Sequence, residues 1–173
     1  MWYVIQVIGG HEHKALSQIK KIVDPSTYKQ VFIPIYEIKK RYSGVWQLRE
    51  EVLFPGYVFV ETKTPELFRE QLHKVPSMTR LLTGGDLHDK YFIPLTNEEK
   101  IMISAFLGDD DFVMRMSEGI IAGDDVVILK GPLMNWGGTV KKIDRHKRLA
   151  YLEVPMFGRM LTIKAGLEIV KKS

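Results

Sequence analysis

Between Lys141 and Arg148 the chain sets six basic side chains, Lys141, Lys142, Arg145, His146, Lys147 and Arg148, around one acid, Asp144. Just upstream, Trp136 stands between Asn135 and a pair of glycines. Clustered cations of this kind suit a polyanion, nucleic acid first, because neutralising several closely spaced phosphates releases their condensed counterions. An acidic protein patch would satisfy the same charges, and a solvated turn without a ligand is the plainest alternative. Trp136 either packs beneath its loop or offers its face to an unpaired base.

Other spacings that suggest chemistry lead away from it. His11-Glu12-His13 invites a metal, but consecutive residues entering a helix point in different directions, and no third ligand follows at a fixed spacing. The glycines and aspartates of GGDLHD, residues 84–89, are better explained as turn formers than as a cation loop. There is no cysteine, which removes disulfides, thiolate metal sites and a cysteine nucleophile. Neither a GxxxxGK[ST] phosphate loop nor a GxSxG elbow occurs. An enzyme is therefore disfavoured, and no catalytic residue, metal or cofactor is expected.

With 173 residues and 45% hydrophobic content, the chain can bury one sizeable core or two small ones. It has no apolar run long enough to span a membrane, and its opening, MWYVIQVIGGHEHK, lacks the features of a secretory signal. A cytoplasmic monomer with no membrane partner is expected. The charge is uneven: residues 1–111 carry 14 Lys+Arg against 15 Asp+Glu, whereas residues 112–173 carry 11 against 6. The positive field belongs to the last third.

The elements around the basic block can be read in order. WYVIQVI is a strand ending at Gly9-Gly10, and Ala15, Leu16, Ile19, Ile22 and Val23 recur at helical spacing. QVFIPIYEI resumes as strand, KKRYSGVWQLREE reads as a polar hairpin arm turning at Ser43-Gly44, and Pro55-Gly56 bends the chain before it returns to the sheet. Thr64-Pro65 opens a short helix; Thr96, with Glu99 three residues on, makes a capping box for the next. The result is a β-α-β-β-α-β-α order, a small antiparallel sheet with packed helices. The stretch GDDDFVMRMSEG reads as a solvated linker, and DVVILK, GTVKKID, RLAYLEV, RMLTIKA and LEIV as five short strands of a small barrel.

At this point the chain resembles the NusG family of transcription elongation factors. The residues that carry the resemblance are Trp2-Tyr3-Val4, Gly10 and Glu12, Pro34, FPGYVFV at 54–60, and IPLTNEE. In the last third they are Gly123, Val126, Gly131-Pro132, Gly138, Val140 and Phe157-Gly158-Arg159, in the order of a KOW segment. The resemblance implies an α+β N-terminal domain, residues 1–108, that docks on RNA polymerase. A linker at 109–117 would lead to an all-β KOW domain, residues 118–173, an SH3-like five-stranded barrel that recruits a second partner. It also implies a hydrophobic depression for the polymerase clamp helices, lined by Tyr3, Val7, Phe54, Pro55 and Tyr57. An apolar patch with a polar rim is what such a helix-in-groove contact requires.

Leu133 and Trp136 stand where general members carry phenylalanines, and SMTRLLTGGDLHDKYFIP also departs from the common pattern. With the basic block, these departures point to a specialised paralog of the LoaP-like antiterminator type, whose KOW domain, as the resemblance implies, binds an RNA hairpin in an operon leader. Asn135, Trp136, Lys141, Lys142, Arg145, His146, Lys147, Arg148 and Arg159 are then the expected RNA-binding residues, with the basic side chains of the turn projecting from one barrel end. In ordinary members a ribosomal protein or termination factor docks through residues matching Met156, Phe157 and Arg159, so these contacts either persist here or are traded for RNA.

Overall fold

The computed structural model describes residues 1–85, 90–108, 110–136 and 139–172, with side chains described up to residue 170. Residues 86–89 of the GGDLHD turn and the marker Gly138 lie outside the described residues. In chain order the first elements are β1 (Trp2–Val7), α1 (Glu12–Ile22), β2 (Gln30–Phe32), β3 (Ile35–Tyr42), β4 (Val45–Val52), β5 (Tyr57–Glu61) and α2 (Pro65–Leu72). There follow β6 (Thr79–Leu81), β7 (Thr83–Gly84), β8 (Tyr91–Phe92) and α3 (Asn97–Phe106). The last are β9 (Val113–Met114), β10 (Ser117–Ala122), β11 (Asp125–Lys130), β12 (Val140–Asp144), β13 (Leu149–Met156) and β14 (Arg159–Lys172). Among the described residues no helix is long and apolar enough to cross a membrane.

These elements form two compact units, one made of Met1–Ile33 with Phe54–Lys100, the other of Pro34–Leu53 with the chain from Ile101 onward. In the first, β2-β5-β1-β6 make an antiparallel sheet. The apolar runs of β1 and β5 are continuous rather than alternating, and Val4, Ile5, Val58, Phe59 and Val60 are all fully buried, as strands covered on both faces must be. Ala15 and Ile19 of α1 and Phe68 and Leu72 of α2 supply the buried helical stripes. Trp2 is core, its ring edge-on to Phe32 at 5.1 Å. The capping box forms as expected: the Thr96 N–H donates to Glu99 Oε1 at 2.9 Å, and the Glu99 N–H to Thr96 Oγ1 at 3.1 Å. Thr64 does precede α2, but its hydroxyl makes no cap, and its own N–H donates to Thr62 Oγ1.

In the second unit β3 and β4 pair as a hairpin whose two-residue turn, Ser43 (φ 49°) and Gly44 (φ 79°), is of the type I′ kind that suits strand twist. Pro34 separates β2 from β3, so the expected single strand is two. Within the stretch read as a solvated linker, Val113 and Met114 are buried and pair in parallel with β3, whose edge gives two apolar residues a ladder to join.

Five strands are expected of the barrel, and a five-stranded sheet, β11-β10-β14-β13-β12, is found, giving the α+β and all-β parts of the expected fold class. Its membership differs from the reading of the sequence. SEGIIA forms β10, and the runs RMLTIKA and LEIV are one strand, β14, continuous through Gly166. That strand pairs antiparallel with β13 over its first part and parallel with β10 over its last. Gly166 breaks nothing; it makes room, because a Cβ there would overlap the backbone carbonyl of Glu37 in β3 and lie 2.8 Å from Met116 Cγ.

Candidate nucleic-acid interface and docking surface

The basic block sits on the β12–β13 connection. Lys141 is the extra residue of a bulge, since Val140 faces Leu152 and Lys142 faces Tyr151, and both lysines are exposed. Asp144, the one acid in the block, serves the turn itself: its Oδ1 accepts the Lys147 N–H at 3.0 Å, while the Arg148 N–H donates to the Arg145 carbonyl at 3.3 Å. Arg145, His146 and Lys147 are exposed on that turn. Among the described residues no carboxylate forms an ion pair with Lys141, Lys142, Arg145, His146 or Lys147. Lys142 Nζ lies 5.7 Å from the centre of the Tyr151 ring.

Arg148 departs from the expectation. It is the last residue of the turn, with φ 54°, and half-buried. Its Nη1 lies 3.1 Å from Glu168 Oε1, and its guanidinium stacks 3.9 Å from the centre of the Trp46 ring. With a carboxylate and an indole already engaging it, Arg148 is structural in this unit. Trp46, on the hairpin, is a residue that reading the sequence passed over, because only long-range packing brings it here.

The rest of the expected RNA set separates in space. Arg159 opens β14 opposite Met156, at the far end of β13 from the basic turn. At ~3.3 Å per residue the eight-residue β13 spans about 23 Å, so Arg159 does not join that turn in one patch. Trp136 lies before β12 in the chain. Its half-buried ring lies 5.4 Å from Phe106 of α3, which answers in part whether it packs or stacks; Asn135 beside it is exposed. Met156 corrects the alternative docking site, for the inward alternation of β13 buries it with Leu152 and Val154. Phe157 is half-buried on the Phe157-Gly158 turn, both at positive φ.

In the first unit, the FPGY segment makes a turn with Pro55 and Gly56 (φ 86°) at its centre, closed by the Tyr57 N–H to the Phe54 carbonyl at 3.2 Å. Pro55 is exposed, and Val7 and Tyr57 are half-buried. Tyr3 and Phe54, expected to line a hydrophobic depression, are buried at 6% and 1% exposure, Phe54 against Phe59. Burial, helped by the Glu66 carboxylate, pushes the Tyr3 phenol above its ordinary pKa. Both rings lie inside the unit.

Glu12 holds this region together. It is buried at the start of α1, and its carboxylate accepts the N–H groups of Gly10 at 3.0 Å and of Gly56 at 2.9 Å, tying the helix entry to the turn. Burial alone would raise its pKa, but the Gly56 and Gly10 N–H bonds outweigh that and hold it below the usual carboxylate value. A lowered folded-state pKa means stability that is fully present above the unfolded value and is lost as the pH falls through the folded one. Glu12→Ala should therefore destabilise the first unit by about 1–2 kcal/mol near neutral pH, by removing the acceptor of the part-buried Gly10 and Gly56 N–H groups. In urea melts, the gap between the two chains should narrow below a pH of about 4.

Comparison with known proteins gives this geometry its context. Residues 1–104 match the NusG family model, described as transcription termination factor nusG. The chain is 26% identical to the transcription termination/antitermination protein NusG of Pasteurella multocida, over 99% of this chain and 94% of that one. It is 27% identical to the protein of the same name from Haemophilus influenzae, over 99% and 93%. A solved structure concerned with domain interaction in Thermotoga maritima NusG shares the fold, with a TM-score of 0.56 at 24% identity over 95% of this chain and 92% of that one.

Proposed function

Because the chain belongs to the NusG family, we propose that it is a non-enzymatic, cytoplasmic transcription elongation and antitermination factor. Residues 1–108 bind RNA polymerase, with Val7, Pro55 and Tyr57 as the docking surface and Tyr3 and Phe54 beneath it. Residues 118–173, reached through 109–117, form the KOW domain, which captures a nascent RNA hairpin so that the factor loads at chosen operons, as a LoaP-like paralog would. The observation that carries this reading is the set of exposed basic side chains at the β12–β13 turn, Lys141, Lys142, Arg145, His146 and Lys147, none of them in an ion pair among the described residues. Four or five phosphates neutralised together make binding steep in salt.

The test is titration of the full chain with leader RNA hairpins at several salt concentrations. Hairpin-selective binding that weakens steeply with salt supports the reading. Equal, weak affinity for every RNA would instead favour a general NusG-type factor whose KOW domain binds a ribosomal protein or termination factor. Tyr57→Ala should leave RNA binding unchanged and lower co-precipitation of polymerase at least several-fold, as loss of a central aromatic anchor does. Normal recovery of polymerase by that variant would sink the docking surface.

A further inference from the structure

The second unit also contains a groove of about 520 Å³ between the β3–β4 hairpin and the barrel strands β13 and β14, within the size range of ligand sites. Its basic lining is Lys39, Lys40, Arg41, His146, Lys147 and Lys164, against one carboxylate among the described lining residues, Glu51. Two of these are already neutralised: Lys39 Nζ lies 2.7 Å from Glu168 Oε2, and Lys40 pairs with Glu51, which also accepts the Tyr36 hydroxyl at 2.7 Å. Arg41, Lys147 and Lys164 are exposed and in no ion pair among the described residues.

Aromatic rings are interleaved with this charge. Tyr42, Trp46 and Tyr151 line the same groove, Tyr42 being 46% exposed and the other two half-buried. Trp46 lies directly opposite Arg41 on the hairpin, so the two share a face, and the Arg148 guanidinium packed on the indole fixes its orientation in advance. A basic channel with rings that stack bases is how proteins hold unpaired nucleotides, whereas a duplex offers only its outer phosphates to such a slot.

We propose that this groove binds single-stranded RNA, stacking a base on Trp46 while Arg41, Lys147 and Lys164 hold the adjoining phosphates. His146 and Lys147 belong both to the basic turn and to the groove, so the occupant is the unpaired flank of the RNA hairpin gripped by that turn. In this form the proposal rests on the RNA reading above. Arg148 and Glu168 support the site without touching the nucleotide.

Anisotropy titrations of the full chain test it with four probes: a blunt hairpin, the same hairpin with an unpaired flank, the flank alone, and a DNA copy of the flank. The flank should tighten hairpin binding, and Trp46→Ala should remove that gain, a loss of roughly 5- to 150-fold for one or more stacked bases, while leaving the blunt hairpin unchanged. Trp46→Phe, which keeps a ring, should restore most of it, separating stacking from a fold defect that thermal melts would reveal. Weaker binding of the DNA copy identifies RNA as the occupant; equal binding overturns that choice. If no hairpin binds, the RNA reading of the turn fails, and the flank alone then decides the groove: binding sensitive to Trp46→Ala keeps it, and no binding removes it. A flank without effect, equal losses on blunt and flanked hairpins, or displacement by polyglutamate as effective as by RNA would each overturn the proposal.

Discussion

A chain in which Lys141, Lys142, Arg145 and Lys147 are all replaced by alanine should bind a leader hairpin about 100-fold more weakly than the native chain near physiological salt, with its salt slope reduced by roughly 3 to 4. The size follows from counterion release: each phosphate neutralised contributes ~0.7–0.9 to the slope of log K against log salt. Arg148 is left intact because its guanidinium already has Glu168 and Trp46, so its loss would confuse stability with binding. Fold should be preserved, since the four replaced side chains are exposed and in no ion pair among the described residues. The check is a set of titrations between about 50 and 200 mM salt, where the native chain should lose on the order of 100-fold through these four contacts. An unchanged slope would move RNA binding elsewhere, with Asn135, Trp136 and Arg159 the first residues to test.

The second large effect is on stability. Gly166→Ala should cost the second unit about 2–3 kcal/mol, because the new methyl meets the Glu37 carbonyl and Met116 Cγ, and a β-strand backbone cannot yield as a surface side chain can. In a chain of this size that corresponds to a fall in Tm of roughly 5–10 °C. Gly56→Ala is the control for ordinary glycine strain: it has φ 86° and the added carbon meets only an ordinary van der Waals contact, Val7 O at 3.5 Å, so its cost is about 1–2 kcal/mol. If Gly166→Ala melted like the native chain, the approach of β3 to β14 would be looser than the structure has it.

What the sequence revealed and what it concealed follow from the range of the forces involved. Turns and caps are local: Ser43-Gly44, Pro55-Gly56 and the Thr96–Glu99 box were legible because a few adjacent residues determine them. Gly166 was misread for the same reason, since in a strand pattern glycine signals a break unless a distant carbonyl needs its place. The basic turn was visible as charge, but the capture of Arg148 depends on Glu168, 20 residues away, and on Trp46. Tyr3, Phe54 and Met156 carry the types found at interfaces and in cores alike, and only packing assigns them to the inside. Glu12 was seen as a marker, but its grip on Gly56 spans 44 positions that no periodicity records.

The tie between Lys39 and Glu168 joins residues 129 apart in the chain. At ~5–20 residues per second, a ribosome takes roughly 6–26 s to make the intervening stretch. For most of that interval the β3–β4 arm is complete while β13 and β14 do not yet exist. Its newborn tip must stay soluble on its own, and Lys39, Lys40, Arg41 and Arg49 along its edges are the kind of charged fringe that deters a lone ribbon from pairing with a stranger.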